Sequence, residues 1–302
     1  MSTPVFDLSD AHGQPPDIAC LRSRAAAVCR HLRIALRRRT WTGATGQWAG
    51  KGSGASIDFQ DHRPYLPGDD PRHIDWAAYA RSGNYIMKLY REEVSPRVDL
   101  LIDTSASMHL DPAKRDRMLE LLYFCMESAL AISASLQVYT LGGDGARRLD
   151  LPTLLRADWH PPLEADDRTP AAALASLPLR NRAMRILISD LLFEGDPRAL
   201  LKPLCVRDGS AVILAPFAPG EADPAWNGNV ELIDCESGRS RRQRVTPVLL
   251  ARYRQAYASH LDAWREQARR LQARLARISS TGTLAEALRA EALSQGVIEA
   301  WT

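Results

Sequence analysis

The chain has 302 residues, 45% of them hydrophobic and 25% charged, which is ample apolar content for one large packed domain or two modest ones. Its net charge of +3 gives no ground of its own for a nucleic-acid partner. No window approaches the roughly 18 unbroken apolar residues of a membrane span. The polar start MSTPVFDLSDAHGQPPD also lacks the basic-then-apolar order of a signal peptide, so a cytoplasmic location with no transmembrane segment is expected. Cys20, Cys29, Cys125, Cys205 and Cys235 form no Cys-x-x-Cys pair. They signal neither a disulfide framework nor a zinc site, and they read as reduced thiols packed as small hydrophobes.

Residues 1–16 read as a flexible lead. From Asp17 to about Arg39, Leu21, Ala25, Val28, Leu32 and Ala35 or Leu36 recur at helical spacing, and Arg22, Arg24, Arg30, Arg33, Arg37 and Arg38 occupy the other faces. No acid occurs between Leu21 and Lys51, so this helix has either a solvated basic face or a surface for nucleic acid or membrane. Residues 17–97 form the first region: this helix, then a β-rich lobe in which ASIDF and NYIMKLY look like strands. Gly50-Lys51 is not a phosphate loop, because Thr45 and Gly52 stand where that loop needs Gly and Ser or Thr.

Within the lobe, PGDDPRHIDW is a turn followed by mixed charges. Asp69, Asp70, Arg72, Asp75 and Trp76 read either as part of an internal salt-bridge network with Arg63, Arg81 and Glu92 or as a docking surface for a partner. Asp69 and Asp70 are not an acid–base pair by sequence, since neighbours in an extended stretch point opposite ways.

From Val98 the pattern alternates. Strand candidates at 98–103, 136–141, 185–190, 210–217 and 230–235 are separated by helical stretches near 112–134, 170–177 and 197–206, and ARRLDLP reads as an antiparallel return after the 142–145 turn. This predicts an α/β fold with a doubly wound, mostly parallel sheet over residues 98–245. Residues 246–302 are expected to hold one long amphipathic helix, marked by Leu250, Tyr253, Tyr257, Leu261, Trp264, Ala268, Leu271, Leu275 and Ile278, and a tail.

In such a sheet ligands bind at the carboxyl ends of the strands, near the point where strand order reverses. VDLLIDTSASM ends a strand at Asp103 and adds the hydroxyls of Ser105 and Ser107, and RILISD ends another strand at Asp190. If the two strands are neighbours, the carboxylates repel by roughly 3 kcal/mol at about 6 Å and an effective dielectric near 20, and a cation would reverse that term. An oxygen-only set with few carboxylates suits Mg²⁺ or Mn²⁺. The following helices have their own starts in Asp111-Pro112 and Asp196-Pro197, so these oxygens are not needed as caps. Thr169, before Pro170, reads equally as a ligand or as a cap.

These residues carry a resemblance. DTSAS with a later Thr and a strand-ending SD resembles the metal-ion-dependent adhesion site of von Willebrand factor type A domains, which implies one divalent cation held by Asp103, Ser105, Ser107, Thr169 and Asp190. The segment RPYLPGDDPRHIDWAAYARSGNYIMKLYREE is similar to the signature of the bacterial domain-of-unknown-function 58 family, in which it precedes such a domain. The resemblance implies a MoxR-type AAA+ ATPase as partner, in the soluble form of a family whose members often carry N-terminal membrane helices.

Three functions follow. The first is a non-enzymatic, metal-dependent adaptor that links the ATPase to an unknown client protein during its maturation or assembly, with no nucleic acid involved. The second is a Mg²⁺-dependent phosphohydrolase, opposed by Ser105 at the place where an aspartyl-phosphate enzyme carries its acid–base carboxylate. The third is a nucleic-acid or membrane-surface binder acting through the basic helix. The adaptor accounts best for an oxygen-rich loop without a nucleophile.

Overall fold

The computed structural model describes residues 15–35, 57–92, 96–142, 145–159, 169–235 and 238–301. Most of the expected flexible lead, Arg37, Arg38 and Gly50-Lys51 lie outside the described residues, as do the two middle residues of the 142–145 turn. The chain divides into two compact units, residues 41–95 and the remainder.

Helix α1 (Ile18–Val28) starts at Asp17, whose carboxylate accepts the Cys20 N–H at 3.0 Å, and it buries Ile18, Leu21 and Ala25. It does not run on to Arg39 as its spacing predicts. The chain turns at Cys29–His31 and forms a short strand, β1 (Leu32–Ile34), that buries Leu32 and Ile34 on either side of Arg33. The step from Val28 to Leu32 fits a helix by coincidence; alternation of Leu32, Arg33 and Ile34 is the strand period.

In the unit of residues 41–95, β2 (Ile57–Pro64), α2 (Trp76–Ser82) and β3 (Ile86–Glu92) follow in order. The two strands pair antiparallel, with a register shift between Phe59 and Asp61. Helix α2 ends at Gly83, whose left-handed φ of 68° closes the cap.

The larger unit continues with β4 (Arg97–Asp103), α3 (Pro112–Leu130), β5 (Ser135–Gly142), β6 (Gly145–Leu149), α4 (Leu151–Leu155), α5 (Pro170–Ala175), β7 (Ala183–Ile188) and α6 (Pro197–Cys205). Next come β8 (Ser210–Phe217), α7 (Pro219–Ala222), β9 (Gly228–Ile233), β10 (Ser240–Val245), α8 (Pro247–Arg270), β11 (Arg274–Ser279), α9 (Leu284–Glu291) and β12 (Ile298–Ala300). Six strands make one sheet in the order β11-β8-β7-β4-β5-β6, parallel throughout except for β6. This is a mixed α/β fold with a mostly parallel sheet. Alternate residues of β4 serve opposite faces: Leu100 and Ile102 pack with α3, and Leu101 packs in the layer that holds Leu200 of α6 and Trp264 of α8.

Two elements depart from the pattern reading. Residues 230–235 do not enter the main sheet; β9 pairs with β10 as a separate antiparallel hairpin. Its half-buried Val230 and Leu232 alternate with exposed neighbours, whereas every residue of β7 is buried. The long C-terminal helix ends at Arg270, and Leu275 and Ile278 belong to β11, which extends the sheet parallel to β8. Gln272, at φ 56°, turns the chain out of the helix. The tail then supplies β12, which pairs antiparallel with β1, so both chain ends of this unit close over the α3 face.

Two arginines, half-buried Arg180 and fully buried Arg185, tie the strands to their loops. Arg180 holds the fully buried Asp99 at 2.6 Å. Arg185 donates to the carbonyls of Leu204 (3.0 Å) and Val206 (2.6 Å), satisfying the end of α6.

Candidate functional site

Strands β4 and β7 are parallel neighbours, and the sheet order reverses between them: β5 lies on one side of β4, and β7, β8 and β11 lie on the other. Asp103 therefore ends the central strand at the switch point, beside Ser189 and Asp190, which directly follow β7 rather than ending it as the pattern predicts. Asp103 is fully buried. One carboxylate oxygen accepts the Ser105 N–H at 3.0 Å and the other accepts the Ser189 hydroxyl at 2.6 Å. The Ser105 and Ser107 hydroxyl oxygens lie 3.1 Å apart and are half-buried, so oxygens run from the sheet toward solvent along this loop.

These oxygens are not spent on capping. Ser105 occupies the N-cap position of the short 3₁₀ turn Ala106–Met108, yet its hydroxyl makes no capping bond. Helix α3 is capped by Asp111, which accepts the Lys114 N–H at 2.8 Å, and α6 is capped by Asp196. Thr169 precedes α5 and likewise makes no side-chain capping bond. None of the hydrogen bonds described around Asp103, Ser105 and Asp190 involves Thr169.

Asp190 has a partner that sequence reasoning missed. The Lys114 ammonium donates to Asp190 Oδ2 at 2.6 Å and to Glu221 Oε1 at 2.5 Å, and the Leu192 N–H donates to Asp190 Oδ1 at 3.0 Å. Glu221 is itself fixed by the Ala218 N–H on its second oxygen, and the Tyr253 hydroxyl donates to its main-chain carbonyl at 2.6 Å. Lys114 stands one turn into α3, a place that gives a sequence reader no sign of burial. Ser189 was closer to view, as the residue before the strand-ending acid.

Burial, reinforced by the charge of Asp190, pushes the Asp103 carboxyl up to about 7. Burial opposes the charge of Lys114, but the carboxylates of Asp190 and Glu221 outweigh it and hold the ammonium above its ordinary range. His109, between the loop and α3, is buried, and neither ring nitrogen has a hydrogen-bond partner among the described residues. Burial first, then the charges of Arg115 and Lys114, lowers its pKa to about 4, so the ring is neutral near pH 7.

Among the described residues no group of three or more His, Cys, Asp or Glu side chains is gathered to hold a metal ion. A cation here would rest on one carboxylate, two serine hydroxyls and water. Asp103, Ser105 and Ser107 fit a small, hard, divalent ion on that basis. Asp103 and Asp190 both have their two oxygens engaged, but only Asp190 is already paired with an ammonium, that of Lys114, so Asp190 fits as a source of charge and a positioning group.

In the unit of residues 41–95 the charges of the turn are matched internally. Arg63 grips Asp69 through two bonds of 2.7 Å, Arg72 grips Asp70 at 2.8 Å, and Asp75 caps α2 while accepting from His62 at 3.0 Å. The Arg63 guanidinium lowers the Asp69 pKa, and the Arg72 guanidinium lowers that of Asp70 to about 2. Trp76 is different: it is 58% exposed, edge-on to Tyr79, which stacks on Tyr85. On α1, Arg22 pairs with Glu127 and also donates to the Leu155 carbonyl, and Arg24 pairs with Glu120. Part of the basic face is thus neutralised by α3.

Fold and loop together define a mixed α/β protein that gathers oxygen donors at the carboxyl end of a mostly parallel sheet. The chain belongs to the family described as "Protein of unknown function DUF58", whose model matches residues 61–267. Uncharacterized proteins of Mycobacterium tuberculosis and Mycobacterium bovis are each 25% identical over 263 residues, spanning 78% of this chain and 79% of theirs. Among solved structures, an aerotolerance-related membrane protein from Bacteroides fragilis covers 67% of this chain and 98% of its own at 13% identity, with a TM-score of 0.37. The conserved hypothetical protein BatB from Bacteroides thetaiotaomicron covers the same shares at 10% identity, with a TM-score of 0.34. Likeness of that degree is too slight to assign fold or function. Among the described residues no helix is long and apolar enough to cross a membrane.

Proposed function

We propose that this chain is a non-enzymatic, divalent-cation-dependent protein-binding adaptor of the von Willebrand factor type A kind, acting in the cytoplasm with a MoxR-type AAA+ ATPase on a client protein. The observation that carries this reading is the Asp103-Ser105-Ser107 loop, whose oxygens cluster at the switch point of the sheet while other residues do the capping. Asp103, Ser105 and Ser107 would hold Mg²⁺ or Mn²⁺, with Asp190 supplying negative charge beside them; Thr169 is a ligand only in the set that the resemblance implies. When bound, the ion supplies an open coordination position that a carboxylate of the partner fills. Ser189 and the Ser105 N–H orient the Asp103 carboxylate for that role.

Nothing favours the phosphohydrolase. The residue two places on from Asp103 is a serine that cannot serve as acid or base. The adaptor reading is tested by measuring binding of the purified MoxR-type ATPase from the same genome to the immobilised chain. Binding in Mg²⁺ that disappears in chelator and in Ser105→Ala/Ser107→Ala supports it. Binding indifferent to both, or none in Mg²⁺, overturns it.

A further inference from the structure

The Lys114 ammonium occupies the place where a second positive charge is least expected beside a cation site. Its side chain is 1% exposed and lies between Asp190, at 2% exposure, and Glu221, at 23%. Among the described residues no other lysine or arginine pairs with Asp190 or Glu221. The two acids come from different places: Asp190 from the loop after β7, and Glu221 from α7 after β8, where the Ala218 N–H and the Tyr253 hydroxyl anchor it. The one ammonium is bonded to both acids at once: Asp190 is its inner seat, beside the Asp103 crevice, and Glu221 its outer seat, nearer solvent.

We propose that Lys114 is a tethered cation that neutralises Asp190 in the absence of a divalent ion and shifts toward Glu221 when one binds, so that Lys114 sets the metal affinity of the Asp103 loop. The inference rests on the metal reading above and adds its regulation. A buried ammonium and a divalent ion on Asp103 repel each other, and Asp190, paired with the ammonium and close enough to raise the Asp103 pKa, would attract both. Glu221 lets the ammonium retreat without being left unpaired in the interior. Because Glu221 sits on α7 and is tied to α8 through Tyr253, a partner that moves α7 would move the outer seat and change the affinity for the ion.

The test is calorimetric titration of Mn²⁺ into the full chain, comparing wild type with Lys114→Met/Glu221→Gln and with Glu221→Gln alone. The double variant loses one positive and one negative charge, so its net charge matches wild type. It should bind Mn²⁺ at least tenfold more tightly, and Glu221→Gln, which keeps the lysine but removes its outer seat, should bind several-fold more weakly. Binding in the double variant equal to or weaker than wild type overturns the proposal. So does unchanged or tighter binding in Glu221→Gln, which decides the matter if the double variant fails to fold. A wild type that does not bind beside a double variant that does would leave the tethered cation standing and overturn the metal-dependent adaptor. No binding by any of the three overturns both.

Discussion

Lys114 and Asp190 form an ion pair at 2.6 Å in which neither side chain is more than 2% exposed. A pair so placed is held by its geometry and by the Glu221 carboxylate on its far side, because each charge alone would be costly to bury. Replacing Lys114 by Met leaves the buried Asp190 and the half-buried Glu221 close together without their shared cation. Stability to urea should fall by about 3–5 kcal/mol, and adding Glu221→Gln should recover part of that loss. A loss below about 1 kcal/mol would mean that water reaches the pair.

The crevice contains two groups whose protonation acts on stability in opposite senses. Asp103, raised to about 7, binds its proton more tightly when folded, so it favours folding below about pH 4 and loses that contribution as pH rises to 7. His109, lowered to about 4, resists its proton when folded, so its cost appears as pH falls from 6.5 toward 4. The slopes oppose each other, each up to roughly 1.4 kcal/mol per pH unit. In the absence of divalent ions, the stability of Asp103→Asn relative to wild type should rise between pH 4 and 7. That of His109→Leu should fall between pH 4 and 6.5. Denaturant curves across this range read both, and flat differences would contradict the buried environments.

Gly209 lies against the end of a side chain that has nowhere to go. A Cβ there would stand 2.3 Å from Arg185 Nη1 and 2.6 Å from its Cζ. Arg185 is fully buried and committed to the carbonyls of Leu204, Val206 and Arg180. Gly209→Ala should therefore cost about 1–3 kcal/mol in thermal or urea unfolding, since the guanidinium can yield only by breaking those bonds.

The three-residue strand β12 covers β1, and Ile298 is 2% exposed. Ile298→Ala should destabilise the chain by about 2–4 kcal/mol. Val248→Ala, at a residue 64% exposed, should change stability by less than about 0.5 kcal/mol. Equal effects would show that the terminal strand is not part of the core.

Which features were legible in the sequence follows from how local their causes are. The strands ending at Asp103 and near Asp190 announced themselves, because buried parallel strands are unbroken apolar runs. The caps Asp111 and Asp196 were visible beside their prolines. The antiparallel return of β6 was marked by its glycines. By contrast, the spacing at β1 and β11 predicts helix, since three or six residues of mixed spacing fit either period and only their partners β12 and β8 decide between them. The lysine in the crevice was illegible for the same reason. Lys114 stands in a polar first turn whose neighbours in sequence give no sign of its burial, and its two acids lie 76 and 107 residues away in the chain.

The central claim is that the Asp103-Ser105-Ser107 loop holds a divalent ion. The most direct measurement is calorimetric titration of Mg²⁺ and Mn²⁺ into the purified chain and into Ser105→Ala/Ser107→Ala, with folding of both checked by circular dichroism. Saturable one-site binding by the wild type that is lost in the folded variant is the predicted result. Equal binding by both proteins, or none by the wild type, would contradict it.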